Sequence, residues 1–157
     1  MEPPVSASPL YKTLHATGLE FVRSQNKDDA QPSRMSIDRI RAIRSSENFE
    51  HSWGHDYFVN TAPHLQGTLD IDGFVAHLNK MCPFLESWDT NITDVMVDEQ
   101  QKRVVLRASY YMLVKGAEAP VENDLVWFLT MDEEGRKVKK SMASSALSNH
   151  HFTLSRM

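Results

Sequence analysis

Hydrophobic positions recur at helical spacing three times, and the chain then changes to two-residue alternation. Leu10, Leu14, Phe21 and Val22 form a stripe that predicts a first helix running to about Gln25. "NKDDAQPSR" is polar, carries a proline and reads as a loop. Ser36 can cap a second helix over "IDRIRAIRSSE". A third helix follows Asp70 or Asp72, with Phe74, Leu78, Met81 and Leu85 on one face and Pro83 disturbing its last turn. From about residue 89 the texture is β-rich. "NITDVMVD", "RVVLRASYYMLV", "NDLVWFLTM" and a run from about Lys137 to Leu147 are separated by "DEQQK", "KGAEAP" and "DEEG", which read as hairpin connections.

Three helices followed by a four-stranded antiparallel meander make an α+β fold with the helices on one side of the sheet. A curved sheet wrapped around such helices leaves a pocket between the layers, where a small ligand would sit. Residues 1–8 read as a flexible Pro/Ser/Ala arm and residues 9–157 as a single domain. Residues 48–69 have no clean period and contain Gly54, Pro63 and Gly67, so they read as a long connection of the kind that often carries function.

Composition narrows the function classes. The net charge of −4 gives no general support for nucleic-acid binding, and "GRKVKK" reads as the solvated start of a strand. The single cysteine, Cys82, excludes an intrachain disulfide and a Cys-cluster zinc site. The N-terminus lacks the basic and apolar segments of a signal peptide, and no run approaches the ~20 apolar residues of a membrane span. A cytoplasmic protein with no membrane association is the expectation. No G-x-S-x-G elbow and no glycine-rich phosphate loop occurs.

"NFEHSWGHDYF" raises the question of a metal site. His51 and His55 lie four apart, but they could chelate only on a helix, and Gly54 argues against one. No metal and no cofactor is expected. His55, Asp56 and Tyr57 remain weaker candidates, His77 reads as structural, and His150 and His151 as exposed chain-end residues.

Several segments carry a resemblance. "IRAIRSSENFEHSW", "FVAHL", "FLESWDTNITDVMVDEQQKRVVLRAS" and "VENDLVWFLTMDEEGRKV", in that order, resemble the SnoaL-like branch of the nuclear-transport-factor-like cone fold. More narrowly they resemble the small fungal isomerases and cyclases of meroterpenoid and indole-alkaloid biosynthesis. The resemblance spans about residues 34–140. It implies a cone-shaped domain, a homodimer, and cofactor-independent acid/base rearrangement of a hydrophobic polycyclic substrate.

The individual residues are then weighed against that expectation. Ile37, Ile40 and Arg44 are spaced i, i+3, i+7, so Arg44 lies on an apolar stripe and is either in a structural ion pair, snorkelling at the helix end, or a fixed cation facing the pocket. The resemblance favours the last, as it does a working role for His51, whose imidazole ordinarily titrates near neutrality. On the fourth β segment, alternation puts Asn123, Leu125 and Trp127 on one face and Asp124 on the other. Trp127 matches the place of the oxyanion-side aspartate in ketosteroid isomerase, which turns its face toward the cavity. Trp127, Trp53 and Leu125 would pack substrate rings, and Asn123 would donate to an oxyanion. Asp124 fits an acid/base role only if a bulge re-aims it. If the hairpin closes near Ala117, Tyr111 sits opposite Asn123 and is either a proton donor or cavity wall. The function expected is an isomerase or cyclase. The alternatives are a non-catalytic binding module on the same fold and a dehydratase or hydrolase.

Overall fold

The computed structural model describes residues 1–54 and 67–145. Helix α1 (Pro9–Arg23) begins at Ser8, whose hydroxyl accepts a hydrogen bond from the Tyr11 amide at 3.0 Å, with proline at the first helical position. Its apolar stripe, Leu14, Phe21 and Val22, is fully buried. Gly18 lets this helix lie almost on the sheet, since a Cβ there would fall 2.8 Å from Val104 Cγ1. Helix α3 (Ile71–Met81) starts at Asp70, which accepts from the Gly73 amide at 2.7 Å. A 3₁₀ turn, Cys82–Phe84, carries Pro83 and ends it.

Helix α2 is shorter than its pattern suggests. It covers Ile37–Ala42 and stops before Arg44. The backbone of the following residues is taken by the sheet: the Ile43 carbonyl accepts from Val138 N–H at 2.8 Å, and Ser45 N–H donates to the Val138 carbonyl at 2.8 Å. Two sheet hydrogen bonds thus replace the next helical turn.

The sheet has five strands in the order β1-β5-β4-β3-β2. The meander is formed by β2 (Leu85–Asp98), β3 (Arg103–Val114), β4 (Val121–Met131) and β5 (Val138–Ser145). The fifth member, β1 (Glu50–Ser52), lies in the stretch expected to be loop and pairs parallel with β5. Strand β2 also begins earlier than expected, at Leu85, and bulges at Leu85/Ser87 and Ile92/Asp94 absorb its irregular polar pattern. The architecture is the expected α+β one, with helices on one face of a mostly antiparallel sheet. The core sits between them, from Leu14, Phe21 and Val22 to Val104, Leu106, Trp127 and Leu129. No helix among the described residues is long and apolar enough to cross a membrane.

Candidate functional site

Between α3 and the inner sheet face lies a cavity of about 60 Å³. Its walls are aromatic and aliphatic: Trp53 after β1, Phe74, Leu78 and Met81 from α3, Trp88 from β2, Tyr110 and Met112 from β3, and Leu125 and Trp127 from β4. Gln25, Met35, His77, Cys82 and Leu85 also line it, so among the described residues no carboxylate, lysine or arginine faces it. The volume is that of about two waters, well below the roughly 300–1,000 Å³ of drug-sized ligand sites. A polycyclic ligand therefore requires the walls to part.

Tyr110 is the polar centre of this wall. Trp127 Nε1 donates to its hydroxyl oxygen at 2.7 Å. Burial pushes its pKa up, so the phenol keeps its proton. His77 projects from α3, and its ring lies 4.9 Å from that of Trp53. Cys82 is buried, and desolvation raises its thiol to about 11, which keeps it protonated and unreactive.

Arg44 and His51 form a second layer behind the cavity wall. Arg44 is 1% exposed. Its guanidinium carbon lies 4.3 Å from the Phe21 ring centre, 4.4 Å from that of Phe74 and 5.2 Å from that of Phe49. One Nη atom donates to the Ile40 carbonyl at 2.7 Å, while Nε and the other Nη have no hydrogen-bond partner among the described residues. Burial lowers its pKa to about 9, which still leaves it charged at neutral pH. The structural ion pair weighed for it is absent among the described residues. Direct contact with the cavity is absent too, because the phenyl rings stand between.

His51 is fully buried on β1, opposite Ser141 in the parallel register. Its Nδ1 and the Ser141 hydroxyl are 2.7 Å apart. The imidazole packs on Trp53, Phe74 and Trp127 with ring centres 4.5, 4.9 and 5.7 Å away. Burial first, then the charge of Arg44, pushes its pKa down to about 3. A histidine expected to titrate near neutrality is instead held neutral throughout the physiological range. It can hydrogen-bond, but it accepts a proton poorly.

The sequence-derived residues therefore divide three ways. Trp53, Leu125 and Trp127 line the cavity directly. Arg44, His51 and Asn123 lie inside but behind its surface, with Asn123 Nδ2 donating to Met112 Sδ at 3.3 Å. Tyr111 and Asp124 are on the outer face. Tyr111 is 37% exposed, because β3 and β4 pair Tyr110, not Tyr111, with Asn123. The pairing assumed from the turn was off by one residue, and a slip of one exchanges the two faces of a strand. Asp124 keeps its outward parity with no bulge in β4 to re-aim it, and Arg107 holds it through Nε at 3.0 Å and a closer Nη2 contact. That guanidinium lowers its carboxyl pKa, so Asp124 is an ionised partner in an outer-face pair rather than a proton carrier at the pocket. The candidates His55, Asp56, Tyr57, His150 and His151 lie outside the described residues.

Sequence reasoning passed over Tyr110, His77, Trp88 and Ser141. Turn length was the signal for Tyr110, since adjacent tyrosines cannot both face inward. For Trp88 it was the earlier start of β2. Nothing local marked Ser141 as a partner of His51.

No family model and no curated protein sequence matches the chain. Solved structures do. The pinacolase BvnE from Penicillium brevicompactum superposes with a TM-score of 0.75 at 14% identity, over 97% of this chain and 94% of that one. PrhC from Penicillium brasilianum gives a TM-score of 0.74 at 16% identity, over 94% and 89%. A protein described as a candidate SnoaL-like polyketide cyclase from Jannaschia sp. CCS1 gives 0.69 at 14% identity, over 98% and 99%. At these identities the likeness speaks for the backbone and not for the side chains that differ. Helices packed on one face of a five-stranded, mostly antiparallel sheet are what the chain shares with them: its fold is the SnoaL-like cone fold.

Proposed function

We propose that the protein is a cofactor-independent isomerase or cyclase that rearranges a hydrophobic polycyclic metabolite of meroterpenoid or alkaloid type. The observation that carries this reading is the aromatic cavity with Tyr110 and His77 on its wall. Aromatic faces bind flat apolar rings. Tyr110 and His77 are the groups on this largely apolar wall that can hydrogen-bond an oxygen of a bound ring. Arg44, behind Phe21 and Phe74, adds a fixed positive field that favours negative charge developing on a bound oxygen. His51 keeps the layer behind the cavity in place and contributes a neutral imidazole. That BvnE is a pinacolase and the Jannaschia protein a candidate polyketide cyclase supports a rearrangement on this fold. The experiment is incubation of purified protein with extracts containing polycyclic intermediates, followed by mass-resolved chromatography. A new product of unchanged mass, still formed after exhaustive EDTA treatment, is the expected result. A mass change of one water points to a dehydratase or hydrolase instead.

A non-catalytic binding module is the second reading. It is favoured by the absence, among the described residues, of an ionised acid or base on the cavity lining and by the neutral His51. Saturable binding of the same intermediates without turnover supports it.

The reading includes a homodimer through the outer sheet face. Met96, Val105, Phe128 and Met142 are register neighbours across four strands and form an apolar row there. Light scattering at micromolar concentration is expected to give twice the chain mass, and a monomer mass removes the dimer from the proposal.

A further inference from the structure

The cavity carries an uncommon donor. In Tyr110 one hydroxyl oxygen serves two roles. It accepts the indole N–H of Trp127 at 2.7 Å, and its own hydrogen has no acceptor among the described residues. Tyr110 is buried and its phenol lines the cavity. A buried hydroxyl hydrogen without an acceptor is costly unless something enters to take it. The indole donation also polarises the O–H bond and makes that hydrogen a better donor. The cationic Arg44 acts on Tyr110 in the same direction, because positive charge nearby favours negative charge on the phenol and on whatever it bonds.

The rest of the lining sets the class of ligand. Among the described residues no charged side chain faces the cavity, so an ionised ligand would lose its hydration with no counter-charge from them in contact. A neutral ketone or ether oxygen costs far less to desolvate and accepts one hydrogen bond, which is what Tyr110 offers. Resting on the reading of this cavity as the substrate site, we infer that Tyr110, with its ring fixed by Trp127 Nε1, is the donor that seats an uncharged ring compound by its single carbonyl-type oxygen.

The chain has a built-in reporter. It contains three tryptophans, and all of them, Trp53, Trp88 and Trp127, line the cavity, so intrinsic fluorescence follows its occupancy. The test uses 2-indanone, indane and indane-2-carboxylate, which share a frame and differ in the oxygen. Tyr110→Phe is expected to weaken 2-indanone binding roughly tenfold, about one hydrogen bond, and to leave indane unchanged. Tyr111→Phe, on the outer face, is expected to change neither. The carboxylate is expected to bind the unaltered protein at least tenfold more weakly than the ketone. Trp127→Phe, which keeps an aromatic ring but removes the indole donor, is expected to weaken the ketone about threefold more than it weakens indane, and this ketone-to-indane ratio stands in should Tyr110→Phe not fold. Equal effects of Tyr110→Phe on ketone and hydrocarbon overturn the donor while leaving the cavity as a ligand site. Tightest binding by the carboxylate overturns the neutral-ligand class. If none of the three probes perturbs tryptophan fluorescence up to its solubility limit, the cavity reading itself falls and this inference with it.

Discussion

Two arginines on opposite sides of the sheet are handled in opposite ways. Arg107 lies on the outer face with 57% of its side chain exposed, gripping Asp124. Arg44 lies beneath the inner face, packed against three phenylalanines, with a single backbone carbonyl as hydrogen-bond partner among the described residues. Outside, Arg107 stays open to water and salt, which partly screen its pairing with the largely covered Asp124, and a half-exposed pair of this kind contributes little to stability. Inside, the ring faces supply partial negative charge but cannot replace the lost hydration. The inner charge is therefore a standing cost, and its influence reaches the neighbours: it helps to lower the pKa of His51 and acts on Tyr110. A cation kept at such a cost is better explained by its field than by the stability it brings.

Separating charge from volume at Arg44 tests the contrast most strongly. Arg44→Ala is expected to cost about 3 kcal/mol through the space left among Phe21, Phe49 and Phe74. Arg44→Met fills most of that space without the charge and is expected to fall within about 1 kcal/mol of the unaltered protein, or above it. Urea unfolding of the two variants decides. Equal large losses in both would mean that the cation itself holds the inner layer together. Arg107→Gln, the outer control, is expected to cost less than about 1 kcal/mol.

The pH dependence of stability is the next test. Unfolded, His51 has its ordinary pKa of 6.5, whereas folded it falls to about 3. Between those values the unfolded chain holds a proton that the folded one does not, so stability must fall as pH falls from 6.5 toward 3. The full contribution is present above 6.5, and the slope is about 1.4 kcal/mol per pH unit for one such group. His51→Gln removes the titration. Comparing unfolding at pH 7, 6 and 5, the variant is expected to lose stability less steeply than the parent by roughly that slope. Parallel curves would show that His51 titrates normally in the folded state.

How much of this was legible beforehand depended on the distance over which each feature is determined. Local signals worked. Ser36 and Asp70 cap their helices through their own side chains as expected, although Ser8, read as part of a flexible arm, caps α1, and the alternation of β4 correctly divided Asn123, Leu125 and Trp127 from Asp124. The apolar stripe also identified Arg44 as buried. What enclosed it was not legible, because Phe21, Phe49 and Phe74 come from three separate segments and no spacing relates them. Non-local pairing misled twice. Helix α2 ended early because Val138, far along the chain, claimed the backbone after it. Strand β1 was hidden because three residues show no period and its partner lies in β5. At Tyr110 and Tyr111 the error came from the smallest cause, one residue of register fixed by a turn. That residue decided which tyrosine belongs to the site.

The pairing of β1 with β5 has a kinetic meaning. Ser141 and His51 are 90 positions apart in sequence, whereas β2, β3, β4 and β5 follow one another through short turns. Loop-closure entropy favours the near contacts, so the meander can zip before the far one forms. The cavity wall that Trp53 supplies thus follows the longest-range strand pairing of the sheet, which loop-closure entropy makes the costliest to form.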